Sequence, residues 1–163
     1  MPKKTEKKTK KKEQPDQRDK LAVRKSIAGL GLFATAPIKK GSFIIEYVGP
    51  LLNDDQVQKK GGKYLFALGK KWTIDGTSRN NIARYINHSC IGTNCEPIQY
   101  ANRIKIKAKR NIKVGEELFY DYGKEYFNEF LGKHCRCAKH SKKSTKKTSS
   151  KTSSKTSKKS TTK

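Results

Sequence analysis

The sequence predicts a fold that is mainly β with short helices. Short apolar runs bounded by glycine, proline or asparagine are typical of strands joined by turns. Residues 103–109 alternate between apolar and basic side chains, which is the period of a strand with one buried face. Apolar residues at helical spacing extend over short stretches. Together these patterns point to a β-rich domain.

Charge divides the 163 residues into a folded part and two basic tails. Residues 1–20 carry 9 Lys or Arg against 4 Asp or Glu, and residues 133–163 carry 12 against none. From Ser141 onward every residue is Ser, Thr or Lys, so no apolar surface offsets the entropy of ordering this segment. The predicted organisation is a disordered tail over 1–20, a domain over 21–132, a Cys/His segment over 133–140 and a disordered tail over 141–163.

A net charge of +25 predicts association with polyanions through release of counterions. Nucleic acid, chromatin and an anionic membrane surface all fit this charge. No stretch approaches the length of a transmembrane helix, and the charged N-terminus lacks the apolar core of a signal peptide. We therefore expect an intracellular protein whose four cysteines are free or metal-bound rather than paired in disulfides.

The first elements of the domain have distinct signatures. Gly29-Leu30-Gly31 suits a tight turn or a close approach of backbone to a ligand, but it is not a dinucleotide-binding fingerprint. Residues 43–48 are predicted as a buried strand in which Glu46 needs a partner. Residues 54–60 are predicted as a helical turn capped by Asn53.

Later elements follow the same logic. Strands are predicted over 63–68 and 72–77, with a turn between them. The basic face of the strand over 103–109 suits a solvated surface. Residues 114–123 give a turn and a short strand. The apolar residues that follow recur at helical spacing and should close the core, namely Tyr126, Phe127, Phe130 and Leu131.

Polar side chains are concentrated in Arg84-Tyr85-Ile86-Asn87-His88-Ser89-Cys90. Ile82, Tyr85 and Ile86 have helical spacing, so the Asn-His-Ser sequence that follows suits a helix C-terminal cap running into a turn. The alternative is a functional role, which the flanking motifs favour.

Six motifs occur in an order that resembles the SET-domain protein lysine methyltransferases, over about residues 22–128. They are Gly29-Leu30-Gly31-Leu32-Phe33, Glu46-Tyr47-Val48-Gly49, Tyr64-Leu65-Phe66, Ile74-Asp75-Gly76-Thr77, Arg84 to Cys90, and Gly115 to Gly123. The resemblance implies a SET-domain fold of several small curved sheets. It also implies a pseudoknot-like arrangement in which the Asn-His-Ser-Cys segment passes through a loop formed by a threaded C-terminal segment, an exception to the usual avoidance of knots.

The resemblance further implies S-adenosylmethionine as methyl donor and a target lysine in a narrow channel. Residues expected at the cofactor are Gly29, Leu30, Gly31, Arg84, Asn87, His88, Tyr122 and Phe127. Residues expected at the catalytic channel are Tyr122, Tyr120, Tyr64 and Tyr47. In relatives, tyrosine at the position of Tyr120 narrows the channel, so mono- or dimethylation is expected here.

Many relatives carry a zinc segment, Cys-x-Cys-x4-Cys, that also uses the cysteine of Asn-His-Ser-Cys. Here Cys135 and Cys137 are present, but Lys142 stands at the last cysteine position. His140 or His134 offers a replacement, which gives a Cys3His zinc site with Cys90. Unmetallated thiols are the alternative. A cysteine-rich segment before the domain is absent from the sequence, so we expect a minimal member of the family.

The expected function is methylation of histone tails in the nucleus or at chromatin, in a host nucleus if the source is viral or bacterial. Two alternatives remain: a non-catalytic basic chromatin- or DNA-binding protein, and a methyltransferase of another basic protein, including its own Lys-rich tail. The sequence leaves the target lysine and the oligomeric state open.

Overall fold

A computed structural model describes residues 15–141. Of the predicted tails over 1–20 and 141–163, residues 1–14 and 142–163 lie outside the described residues. Residues 15–20 were expected to be part of a disordered tail, but they contact the domain. The Gln17 N–H donates to the Ile44 carbonyl at 2.8 Å, and the Lys20 carbonyl accepts from the Thr35 N–H at 2.8 Å. These hydrogen bonds attach the chain to the domain before residue 21.

Ten short strands form the domain. In chain order they are β1 Leu21–Ser26, β2 Gly29–Ala34, β3 Phe43–Tyr47, β4 Leu51–Leu52, β5 Leu65–Leu68, β6 Trp72–Asp75, β7 Asn87–His88, β8 Cys95–Tyr100, β9 Arg103–Ala108 and β10 Phe119–Tyr120. The helices are all short. They are the α-helices α1 Asp54–Lys60, α2 Lys124–Tyr126 and α3 Ala138–Ser141, the 3-10 helices Arg18–Lys20, Ile82–Tyr85 and Gly132–His134, and the π-helix Phe127–Leu131.

The strands of residues 15–141 form four small sheets, and the predicted β-rich fold is confirmed. Two sheets have three strands, in the orders β3-β9-β8 and β4-β6-β5. The other two are the antiparallel pair β1-β2 and the parallel pair β10-β7. No helix in the described part of the chain is long and apolar enough to cross a membrane.

The core lies between β2, β3 and β9. Ile104, Ile106 and Ala108 on β9 are buried, as the alternating pattern predicted. Glu46, on the opposite face of β3, forms a two-point ion pair with Arg103, in which Nε donates to Oε1 at 2.8 Å and Nη2 to Oε2 at 2.5 Å. The predicted need for a partner is therefore met.

Helix α1 begins as predicted. The Asn53 side chain accepts from the Gln56 N–H at 2.9 Å, and the Gln56 side chain accepts from the Asn53 N–H at 2.9 Å. This reciprocal pair is a capping box.

Residues 126–131 do not close the core, so that expectation is wrong. Their segment begins with α2 and continues as the π-helix, and none of these residues is buried. Phe130 keeps 38% of its surface exposed. The apolar face of segment 126–131 borders cavities instead of the core, because the core is already closed by residues such as Ile86 and Leu118.

The strand β10 lies between β7 and the segment around Asn94, which follows the Asn-His-Ser-Cys sequence. On one side it pairs in parallel with β7, with Phe119 opposite Asn87 and Tyr120 opposite His88. On the other side its Phe119 carbonyl accepts from the Asn94 N–H at 3.1 Å. Strands distant in sequence thus cross at the centre of the domain, which agrees with the threaded arrangement expected from the resemblance.

Candidate active site

The polar stretch 84–90 begins in a 3-10 helix and continues as a strand. The 3-10 helix ends at Tyr85, and Ile86 is its C-cap residue. Asn87 and His88 then form β7, which pairs with β10. The helix-cap interpretation of Asn87 is therefore wrong, because its side chain donates to the Leu30 carbonyl and to Glu117. Pairing with a strand more than 30 residues away overrides the local capping preference.

Four tyrosines expected at the channel are brought together from strands of two sheets, which hold Tyr47 and Tyr120, and from two loop positions, Tyr64 and Tyr122. Tyr120 and Tyr122 have ring centroids 4.8 Å apart. Phe66 lies between Tyr47 and Tyr120, with centroid distances of 5.3 and 6.4 Å. All four tyrosines, including Tyr64, line one cavity of about 980 Å³. Tyr126 extends the aromatic cluster, 5.1 Å from Tyr122.

Two of these hydroxyls are held by backbone carbonyls. Tyr122 donates to the Ile86 carbonyl at 2.7 Å, and Tyr47 donates to the Tyr64 carbonyl at 2.8 Å. Burial raises the pKa of Tyr47, Tyr120 and Tyr122 well above the ordinary value. The hydroxyls therefore stay protonated and neutral at physiological pH, which suits hydrogen bonding rather than proton abstraction.

Tyr64 has a left-handed backbone with φ of 70°, which is uncommon for a bulky residue. Its carbonyl accepts from Tyr47 and from the Gly76 N–H at 2.9 Å. The Arg84 guanidinium lies 3.8 Å from the Tyr64 ring centroid, and its Nη1 donates to the Thr77 carbonyl. The Arg84 Nε is buried and finds no hydrogen-bond partner among residues 15–141.

A second cavity of about 700 Å³ adjoins the tyrosine cavity. Asn87, His88 and Glu117 line it, together with residues of the Cys/His segment. Asn87 and Tyr122 line both cavities. The two spaces therefore meet at these side chains.

The residues expected at the cofactor fall into four groups. Gly29, Leu30 and Arg84 line the tyrosine cavity, His88 lines the smaller one, and Asn87 and Tyr122 line both. Gly31 and Phe127 line neither cavity. Phe127 instead packs on His88 with a centroid distance of 5.6 Å. The turn before β2 lies at residues 27–28, so Gly29-Leu30-Gly31 is strand rather than a tight turn.

His88 connects the tyrosines to the cysteines. Its Nδ1 accepts from the Tyr122 N–H at 3.1 Å, and its Nε2 lies 3.0 Å from the Cys90 sulfur. Burial lowers the pKa of His88, so the ring is neutral at physiological pH. Because Nδ1 accepts, we assign the proton to Nε2. The contact of 3.7 Å between Nδ1 and the Asp121 carboxylate is therefore not an ion pair.

Cys90, Cys135, Cys137 and His140 bring their ligand atoms within 4.8 Å of one another. The Cys90 sulfur lies 4.0 Å from the Cys135 sulfur and 3.7 Å from His140 Nδ1, and Nδ1 lies 3.4 Å from the Cys137 sulfur. A tetrahedral zinc ion holds sulfurs about 3.8 Å apart and sulfur and nitrogen about 3.5 Å apart. The four residues therefore fit a metal ion, with His140 rather than His134 in the fourth position.

The three thiols of the cluster differ in protonation: burial raises the pKa of Cys90 to about 12 and also raises the pKa of Cys135. Burial raises the pKa of the Cys137 thiol, but hydrogen bonds from the Cys90 backbone and the Cys135 and His140 side chains outweigh it and lower the pKa to about 6. The thiolate is the form of cysteine that binds metals.

Glu117 and Gly76 belong to motifs in the sequence, but the sequence patterns assigned neither of them a role at the site. Glu117 lies in the strand-turn motif near β10 and accepts from Asn87 Nδ2 at 2.8 Å. A Cβ atom at Gly76 would collide with the ring of Tyr47. Both roles depend on contacts between distant segments, which spacing along the chain does not reveal.

Comparison with known proteins identifies the family. A SET-domain family model matches residues 29–123. Histone-lysine N-methyltransferase trr of Drosophila melanogaster is 38% identical over 128 residues, which cover 71% of this chain and 5% of that protein. Histone-lysine N-methyltransferase EZH2 of Chaetomium thermophilum is 37% identical over 118 residues, covering 61% of this chain and 8% of that protein.

A solved structure of ctPRC2 in an autoinhibited conformation, bound to S-adenosylmethionine, is also similar. The TM-score is 0.56 at 37% sequence identity, covering 63% of this chain and 15% of that chain. The chain thus spans only a small part of the proteins that it matches. The matched family model takes in more than half of the chain and agrees with its small sheets and strand crossing, so the chain belongs to the SET-domain family.

Proposed function

We propose that this chain is an S-adenosylmethionine-dependent protein lysine N-methyltransferase that acts on histone tails. The observation that carries the proposal is the cavity lined by Tyr47, Tyr64, Tyr120 and Tyr122, which meets a second cavity at Asn87 and Tyr122. The related trr and EZH2 proteins are histone-lysine N-methyltransferases, and the related ctPRC2 structure binds S-adenosylmethionine.

Several side chains suit the methyl donor, with Gly29, Leu30, Arg84, Asn87 and His88 as the residues that would hold it. The orphaned Arg84 Nε is a donor that suits the carboxylate of the cofactor. S-adenosylmethionine, when bound, supplies an electrophilic methyl group on a cationic sulfur. Gly31 and Phe127 support this pocket from outside its walls.

The tyrosine cavity suits a lysine side chain. Lysine has an ordinary pKa of about 10.4 and must lose a proton before it accepts a methyl group, and an aromatic cavity favours the neutral amine. Protonated tyrosine hydroxyls orient the amine without adding a charge. Because methyl transfer requires an in-line approach, positioning by these residues contributes much of the catalysis. Tyr122 acts by orientation, since its raised pKa and its bond to the Ile86 carbonyl do not suit a base.

The same proposal covers the metal and the location. We assign Cys90, Cys135, Cys137 and His140 to a zinc ion, supported by their distances and by the donor types. Action on histones places the protein at chromatin, where the basic tails would associate with DNA.

Replacing Tyr122 with phenylalanine tests the function. We expect the parent chain to transfer radiolabelled methyl groups to a histone mixture and Tyr122→Phe to lose at least about tenfold in kcat, the effect of one misplaced reactant. Tyr100→Phe is the matched control, because Tyr100 is exposed and lies outside both cavities. Full activity of Tyr122→Phe contradicts the mechanism. An inactive parent chain favours the alternative of a basic DNA-binding protein.

A further inference from the structure

Glu117 lines the smaller cavity and contacts three segments of the chain. Its Oε2 accepts from the Ser26 hydroxyl at 2.8 Å, and its Oε1 accepts from Asn87 Nδ2 at 2.8 Å. Its backbone forms an isolated bridge with Phe33 on β2. Glu117 thereby connects the end of β1, the C-terminal part of β2 and the start of β7.

The hydrogen bonds of Asn87 define how its amide is turned. The two N–H groups of Nδ2 are both used, one on Glu117 Oε1 and one on the Leu30 carbonyl at 3.1 Å. An ionised carboxylate accepts hydrogen bonds and does not donate them, so the amide nitrogen must face Glu117. The Oδ1 atom is then left as the acceptor of a side chain that lines both cavities.

Gly31 provides independent support. It is buried, and a Cβ atom there would collide with Glu117 Oε1 and lie 2.8 Å from its Cδ atom. Its φ is not positive, so alanine would be allowed by the backbone but not by the carboxylate. Gly31 is therefore required by the space that Glu117 occupies rather than by contact with a ligand.

We infer that Glu117 is a positioning residue, which fixes the Asn87 amide so that Oδ1 accepts a hydrogen bond from a donor group of the cofactor. This inference rests on the proposed function, because it takes the two cavities together as the site of S-adenosylmethionine and the target lysine. Two acceptors hold the Asn87 amide in this orientation, the Glu117 carboxylate and the Leu30 carbonyl. Glutamine at position 117 has an N–H₂ group that can donate to Oδ1, so only the Leu30 carbonyl would still require the amide nitrogen on its side.

The test compares Glu117→Gln and Gly31→Ala with Glu116→Gln in the full chain. Glu116 is the neighbouring carboxylate, but it pairs with Arg110 outside both cavities. Calorimetry with S-adenosylmethionine and with its neutral demethylated product gives two dissociation constants for each variant. We expect both constants to rise roughly tenfold in Glu117→Gln and Gly31→Ala, as for one lost hydrogen bond, and to stay unchanged in Glu116→Gln. The KM for S-adenosylmethionine should rise in these two variants, whereas kcat at saturating S-adenosylmethionine should change much less.

The outcomes separate the inference from the proposed function. Unchanged constants in Glu117→Gln overturn the inference, and so does weakening of S-adenosylmethionine alone, which indicates a direct charge effect on the sulfonium. If the parent chain binds neither compound, the proposed function fails. Exchange of the Asn87 side-chain amide protons, measured by NMR without cofactor, then still decides the amide orientation. Slow exchange in the parent and fast exchange in Glu117→Gln support the orientation, and equal rates overturn it.

Discussion

Single side chains from distant segments explain two glycines of the family motifs. Gly31 leaves room for the Glu117 carboxylate, and Gly76 leaves room for the ring of Tyr47. Neither glycine has a positive φ, so turn chemistry does not account for them. The motifs were therefore visible in the sequence, but the reason for their glycines was not, because it depends on which side chains meet after folding.

Tyr120 is predicted to limit the number of methyl groups transferred. It is 7% exposed, lines the tyrosine cavity and packs on Tyr122. Tyr120→Phe removes one hydroxyl and widens the space around the lysine amine, so we expect the fraction of higher methylated product to rise severalfold. Mass spectrometry of a methylated peptide measures this fraction. An unchanged methyl count, with Tyr100→Phe as control, contradicts the assignment.

Glu116 is predicted to make the free energy of unfolding decrease at acidic pH. The hydrogen bond from Arg110 lowers the Glu116 pKa from 4.5 to about 2, against burial, and the Lys113 N–H and Asn94 side chain contribute. A carboxyl group whose folded pKa is depressed stabilises the fold above its unfolded pKa, and this contribution is lost as pH falls through the folded pKa.

The parent chain should therefore lose on the order of 2 kcal/mol of unfolding free energy between pH 4.5 and 2 through this group, after allowance for screening at the half-exposed Arg110. Glu116→Gln should lack this part of the acid dependence. Urea denaturation at several pH values in that range measures the free energy of unfolding. Glu96→Gln is the control, because Glu96 is exposed. Parallel pH curves for parent and Glu116→Gln would refute the prediction.

At the scale of elements, the short Cys/His segment is predicted to need its metal. The helix α3 has one turn and presents His140 beside Cys137, and neither helix propensity nor the core holds such a segment in place. His140 also packs on Phe127, with a centroid distance of 5.8 Å. Loss of the metal should therefore loosen both the segment and the wall of the smaller cavity.

His140→Ala should reduce zinc content from about one ion per chain, as one of four ligands is lost. His134→Ala is the matched control, since His134 is exposed and is not in the cluster. Metal analysis after purification and amide exchange over residues 127–141 measure the two effects. Purified parent chain without zinc, or equal zinc content in both variants, counts against the site.

The periodic strands were predictable, and the aromatic segment was not. Alternation placed Ile104 and Ile106 inside because a strand has a period of two and one face was basic. Helical spacing over 126–131 indicated an apolar face but not its partner, and that face borders the cavities. The tyrosines of the site were found through family motifs, whereas Glu117 carried no signal beyond its place in one of them.

At the scale of the whole molecule, charge lies mainly in the tails. Residues 142–163 contain nine Lys and no acidic residue. Deleting them should weaken binding to duplex DNA and reduce the slope of log affinity against log salt by up to about 0.9 per lost phosphate contact. Binding measured at several salt concentrations gives the slope. An unchanged slope shows that the tail does not contact DNA, and methyl transfer to a histone peptide without DNA is the control.

The parallel pairing of β7 with β10 has a consequence for folding during synthesis on the ribosome. Asn87 and His88 are made early, but their partners Phe119 and Tyr120 follow more than 30 residues later, and the loop between them must close first. During translation, the two cavities therefore have no complete wall until the chain through Ala138 has left the exit tunnel. A nascent chain stalled before that point is expected not to bind the cofactor. The domain should therefore become active in one late step of its synthesis.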